Sequence, residues 1–254
     1  MEFGSPLIAG LSAGESAYAA TVVFAAALIR GYSGFGLSAI VVISLTLVLP
    51  PAEVVPIGIL LEIVASLGVL PQVWRVAAWP TMGLLLLGAC LGTPLGVFLL
   101  TDLPVNVMRA AIASIVLCAS LLLLFGTRWR LKPDTVPVLG TGAISGVANG
   151  AAAVGGLPVV LFFLSTDTVA ATARATVIIY LMILGLYGSA ALYIGGLLTL
   201  EVLARTALLC IPLFLGVAFG HRHFLRTSPE SFRRFALWLL IVLSSAGLLR
   251  AILG

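Results

Sequence analysis

Four ionisable side chains, Arg30, Glu62, Arg174 and Arg205, fall within or at the end of long apolar runs. A charge in such a place is costly at mid-membrane and therefore needs a reason. A guanidinium there can hold an oxyanion through paired, charge-assisted hydrogen bonds, and a carboxylate there can carry a proton. Arg30 and Arg174 are expected to face a substrate path. Glu62, the deepest acid, is expected to couple transport to a proton or Na+. Arg205, about two turns into its segment, is expected to snorkel toward the headgroups. The structural alternative is an ion pair between Glu62 and one arginine.

Two glycine clusters adjoin these charges. The first is Gly31-Tyr32-Ser33-Gly34-Phe35-Gly36; the second is Gly146-Val147-Ala148-Asn149-Gly150, followed by Gly155-Gly156-Leu157-Pro158. A helix that breaks within a membrane frees backbone groups, which is tolerated only where they line a cavity or are buried in protein. It also aims N–H groups and a positive dipole end into the gap, a ready anion site. The expected substrate-binding set is Arg30, Ser33, Gly34, Phe35, Gly36, Asn149, Gly150, Gly155, Gly156 and Arg174. Ser38, Thr172, Thr176 and Tyr180 add hydrogen-bonding capacity close by. Gly88, Gly92, Gly96, Gly216 and Gly220, spaced by four, read instead as close helix packing.

The elements that position these groups follow from composition. Of 254 residues, 61% are hydrophobic and 9% charged, with 13 Lys and Arg against 9 Asp and Glu, and the mean hydropathy is +1.24. A soluble domain carries about 25% charged residues, so soluble, disordered and disulfide-framework classes are excluded. A β-barrel would alternate apolar and polar residues, whereas these runs are unbroken. The fold class is all-α, a polytopic membrane protein. Ten segments are expected: Ser16–Arg30, Phe35–Leu49, Glu53–Gln72, Trp79–Thr101, Val105–Phe125, Thr135–Asn149, Val154–Leu164, Thr168–Tyr193, Leu200–Phe224 and Glu230–Leu253. The first, second, sixth and seventh fall short of the roughly 20 residues of a full crossing. They form two short, glycine-broken pairs, re-entrant or discontinuous, meeting near mid-membrane.

The pattern repeats. Gly92, Gly96 and Arg109 match Gly216, Gly220 and Arg233 at one constant offset. Five segments per half is an odd number, so the halves enter the membrane in opposite senses as inverted repeats. Residues 6–127 form the first repeat, 128–134 a basic linker and 135–254 the second; Met1–Ser5 reads as an added remnant. Basic connections at Arg75, at Arg128–Lys132 and from His221 to Arg234 mark the cytoplasmic face and leave both termini outside. Trp74, Trp79, Trp129 and Tyr193 read as an aromatic belt.

Other chemistry finds little support. Cys90, Cys118 and Cys210 sit singly in apolar runs and read as packing residues. His221 and His223 flank Arg222 in a basic connection and make neither a dyad nor a metal site. Walker A, HExxH and nucleophile-elbow patterns are missing, so no catalytic residue, cofactor or metal is expected, and the basic balance needs no nucleic-acid partner. Two arginines, two helix starts and few acids point to a small anion.

At these junctions the sequence resembles the TauE/SafE family of sulfite and organosulfonate exporters. The resemblance rests on Gly31–Gly36, the Pro50-Pro51-Ala52-Glu53-Val54-Val55-Pro56 turn, Gly92-Thr93-Pro94-Leu95-Gly96, Gly146 through Pro158, and Arg174-Ala175-Thr176. It implies export of a sulfur-containing anion across a bacterial inner membrane, coupled to an ion gradient. Arg174 has no first-half mate, so the anion is expected to be held asymmetrically. The rivals are an anion channel on the same scaffold and a non-transporting accessory subunit. Glycine faces permit a homodimer but serve internal packing equally well.

Overall fold

The computed structural model describes residues 10–33, 35–126, 134–224 and 229–253, with side chains at 32, 33, 221–224, 229–233, 252 and 253 outside that description. Met1–Ser5, Gly34, Trp129 and the linker 128–133 lie outside the described residues, as do the side chains of Ser33, His221, Arg222 and His223. The described chain holds eleven α-helices: α1 (Ala13–Ser33), α2 (Leu37–Leu45), α3 (Pro51–Leu67), α4 (Leu70–Val73), α5 (Trp79–Asp102), α6 (Val105–Phe125), α7 (Thr135–Ala152), α8 (Gly156–Leu164), α9 (Ala170–Ile194), α10 (Leu200–Phe224) and α11 (Pro229–Leu253). Five of them, α5, α6, α9, α10 and α11, are long and apolar enough to cross a membrane.

Each expected segment has its helix, with three corrections. The first and sixth segments are not short: α1 has 21 residues and α7 has 18. They run through Gly31, and through Gly146 and Gly150, where contacts with α5 outweigh the roughly 1 kcal/mol helix cost of each glycine. The chain breaks only after Ser33 and at Ala153, the latter in the left-handed region at φ 55°. The third segment, expected to run unbroken to Gln72, stops at Leu67 and resumes as the one-turn α4. Pro71 explains the stop, since it has no N–H and its ring would clash with the preceding turn. The cysteines are free, but Cys90 and Cys118 are exposed rather than packed, on apolar outer faces where a thiol is as acceptable as in a core.

Local signals set the ends. Ser12 and Glu15 form a reciprocal cap on α1, the Ser12 N–H donating to Glu15 Oε2 at 2.9 Å and the Glu15 N–H to Ser12 Oγ at 3.3 Å. All nine residues of α2 are buried, which is why that helix is apolar all round. Trp79 Nε1 donates to the Trp74 carbonyl at 3.2 Å, and the two rings meet edge-to-face beside the α4–α5 turn.

Two close helix pairs frame the bundle. On α5, a Cβ at Gly88, Gly92 or Gly96 would lie 2.2–2.3 Å from the carbonyl oxygens of Leu139, Ala143 and Val147 on α7. From α7, Gly142, Gly146 and Gly150 answer against Leu85, Ala89 and Thr93. On α10, Gly216 and Gly220 meet the Phe24 and Leu28 carbonyls of α1 in the same way. The opposite face of α5 carries Leu87, Leu91, Leu95 and Phe98, all exposed, which is the stripe a lipid-facing helix needs. Between the pairs, α3 packs against α9, and α6 against α11.

Candidate functional site

Arg30 and Glu62, singled out by their position in apolar runs, form a buried ion pair between Arg30 Nη1 and Glu62 Oε1, with side chains only 4% and 5% exposed. Arg30 Nη2 also donates to Ser66 Oγ at 2.7 Å, and Ser66 Oγ in turn donates to the Glu62 carbonyl at 2.8 Å. The other Glu62 oxygen lies 3.4 Å from the Ser38 backbone N at the start of α2. Gly36 caps that start at φ 93°, a left-handed conformation suited to glycine. A Cβ there would meet nothing within 4 Å, so only backbone conformation selects the residue. One freed N–H of the first helix break, that of Ser38, therefore already faces an anion, and that anion is the protein's own carboxylate.

Arg30 also lines a cavity of about 490 Å³ with Gly31, Gln72, Arg174, Ile178 and Val217 among its walls. Gly68, Gln72 and Val76 are exposed at its α4 end. α1, α3, α4, α9 and α10 all contribute. The two arginines proposed to face a substrate thus share one space, from opposite halves of the chain. Among the described residues that line it there is no acid. Two guanidiniums in a largely apolar chamber, Arg30 with Glu62 paired behind it, offer an anionic occupant its hydrogen-bond donors.

The second junction is arranged differently. Asn149, Gly150, Gly155 and Gly156 do not line the cavity. Gly150 packs on Thr93, while a Cβ at Gly156 would touch Leu181 at 3.0 Å. The Asn149 side chain is buried, and among the described residues its Nδ2 has no hydrogen-bond partner. The break itself is held by a short relay: Tyr180 OH donates to Ser145 Oγ at 2.7 Å, and Ser145 Oγ to the Gly155 carbonyl at 2.6 Å. Tyr180→Phe should therefore lower stability by about 1 kcal/mol, read as a small drop in the thermal midpoint, without removing anion binding. Phe35 packs against an apolar cluster that includes Phe162 and Tyr180. Thr176 Oγ1 donates to the Thr172 carbonyl at 2.7 Å and accepts the Ala78 N–H at 2.9 Å, so it ties α9 to the α4–α5 turn.

Arg205 corrects a further expectation. It does not snorkel: it is 5% exposed, pairs with Glu53 at the start of α3, and lies 3.6 Å from Glu201 on its own helix. Two acids within reach make burial cheaper than extension to the surface. This pair lies at the opposite ends of α3 and α10 from the cavity walls formed by Ala65–Val69 and Val217–Ala218. The cavity and the Arg205–Glu53 pair, a latch tying α10 to α3, thus occupy two ends of the same helices.

Ser66, Gln72 and Ser145 escaped the sequence reading. Ser66 had a signal, since it stands one helical turn after Glu62 and shares its face. Gln72 and Ser145 had none, because their roles depend on where α4 and α9 dock.

No curated protein and no solved structure matches the chain. The sulfite exporter TauE/SafE family matches residues 19–246. That span takes in both glycine junctions, the Arg30–Glu62 pair, the cavity and the Arg205 latch. With nearly the whole helical bundle inside the match, the chain belongs to the TauE/SafE family of sulfite exporters, which are membrane transporters and not enzymes.

Proposed function

We propose that the protein exports a small sulfur oxyanion or organosulfonate by alternating access, with the anion entering the cavity between Arg30 and Arg174. The observation that carries this is the convergence of those two arginines, one from each half, on a chamber with no acid among its described lining residues. Inverted repeats of five segments are supported by the packing. Exchanging α1 for α7, α3 for α9, α5 for α10 and α6 for α11 turns the α5–α7 pair into the α10–α1 pair and leaves α3–α9 and α6–α11 unchanged. α2 and α8, nine residues each, exchange likewise.

The cavity opens beside Arg75 and the end of α10, which the positive-inside rule assigns to the cytoplasm. The conformation is then inward-facing, with Arg205–Glu53 closing the outer side and both termini outside, in an inner membrane of bacterial type. Glu62 couples the movement to an ion gradient. Asn149, Gly150, Gly155 and Gly156 would reach the anion only in another state of the cycle. A homodimer would need a face other than the glycine stripes, which are occupied within the chain.

Proteoliposomes loaded with labelled sulfite test the reading. Wild-type protein should give saturable efflux, and Arg174→Ala should reduce it about 10- to 100-fold, the worth of a charged hydrogen bond. Undiminished efflux removes Arg174 from the path. Single-channel currents would replace the carrier with a channel.

A further inference from the structure

Glu62 occupies the guanidinium that an anionic cargo needs. Its carboxylate takes Arg30 Nη1 and lies 3.4 Å from the Ser38 N–H of α2. The Arg30 guanidinium is the donor an oxyanion in the adjoining cavity would use: Arg30 lines that cavity, while Glu62 and Ser38 lie behind it. Resting on the anion-transport reading above, we propose that Glu62 is a resident competitor for the cargo. The incoming anion takes over the Arg30 guanidinium, and Glu62 is protonated as it is displaced, so that one proton is taken up for each anion bound.

The reason is electrostatic. A carboxylate stripped of its guanidinium partner inside the protein is an uncompensated buried charge, and such groups neutralise by binding a proton. Among the described residues no other cation pairs with Glu62. α2 offers a backbone N–H and α3 the Ser66 hydroxyl. From α9 Arg174 lies across the cavity, and on α10 Glu201 and Arg205 lie at the far end. Arg30 need not move far, because its second nitrogen keeps Ser66. The balance is simple: ionised Glu62, one proton from solution and the free anion become neutral Glu62 and the anion on Arg30. The proton then travels with its anion, so an inward proton gradient opposes export, and a divalent anion leaves with one net negative charge, driven outward by its own gradient and by an inside-negative membrane potential.

Thiosulfate, with sulfoacetate as a second titrant, suits the test because both keep their charge through the neutral range. Purified wild-type protein in detergent is titrated in weakly buffered solution while the pH is followed, and the affinity is measured by calorimetry across neutral pH. About one proton should be taken up per anion, and Kd should rise about tenfold per pH unit. Glu62→Gln should bind without proton uptake, with an affinity independent of pH and at least as tight as wild type. Wild-type binding with no proton uptake and a flat pH profile overturns the proposal, even where Glu62→Gln fails to fold. Loss of binding in a folded Glu62→Gln protein also overturns it, because Glu62 would then be holding Arg30 in place. No binding of thiosulfate, sulfoacetate, sulfite or taurine at any pH is a different failure, that of the anion-transport reading, and the competitor falls with it.

Discussion

Arg30→Ala protein should bind no sulfur oxyanion and should be less stable than wild type by about 3–5 kcal/mol, the usual result of removing one partner from a buried ion pair. Two losses are combined here. The cavity loses one of its two guanidiniums, and Glu62 is left 5% exposed with, among the described residues, the Ser38 N–H at 3.4 Å. A second substitution separates them. Adding Glu62→Gln to Arg30→Ala should return most of the stability, because the uncompensated charge is gone, while binding stays lost. The measurements are a thermal unfolding midpoint in detergent and anion binding by calorimetry. Recovery of both properties in the double variant would mean that Arg30 serves only to neutralise Glu62. Recovery of neither would mean that the arginine acts chiefly through its contact with Ser66.

Gly92→Leu should prevent assembly of the bundle. A Cβ at Gly92 would lie 2.2 Å from the Ala143 carbonyl oxygen and 2.9 Å from the Val147 N. Those are backbone atoms of α7, so no rotamer change relieves the overlap and the two helices must separate. Ordinary overpacking costs about 1–3 kcal/mol; separating a whole glycine-lined interface should exceed that. The loss should appear as missing monodisperse protein on size exclusion. Gly83→Ala on the same helix is the control, since a Cβ there meets nothing within 4 Å. It should be neutral or raise stability by up to about 1 kcal/mol, from better helix propensity. Equal damage from both substitutions would mean that α5 tolerates no side chain anywhere, and the packing argument would fail.

The long helices were readable because hydropathy and length alone define them. α5, α6, α9, α10 and α11 lie where unbroken apolar runs put them. The packing role of Gly88, Gly92, Gly96, Gly216 and Gly220 was readable from their spacing by four. What sequence could not supply was partnership. Nothing in the order of residues tells whether Glu62 meets Arg30, Arg174 or Arg205, because each pairing depends on how α3 is seated between α1, α9 and α10. The same blindness put Arg205 at the lipid surface, since Glu53 lies far away along the chain and close only in space. The extent of α1 and α7 was misjudged for a related reason. Gly31, Gly146 and Gly150 look like breaks when only local propensity is weighed, and the last two prove to be contact points once the neighbouring helix is present.

The separation of cavity and latch along α3 has an electrical consequence. Solution entering at the α4 end carries the potential of that side inward as far as Arg30, so the membrane voltage cannot fall across the cavity. It must fall across the remaining protein between the cavity floor near Ala65 and Glu53, about 18 Å of helix at 1.5 Å per residue. The field there is steeper than across an intact bilayer of about 30 Å. A unit charge crossing it does work of about 2.3 kcal/mol per 100 mV. On the alternating-access proposal, the voltage sensitivity should therefore reside in the step that carries charge past α3, with little in the step that loads the cavity.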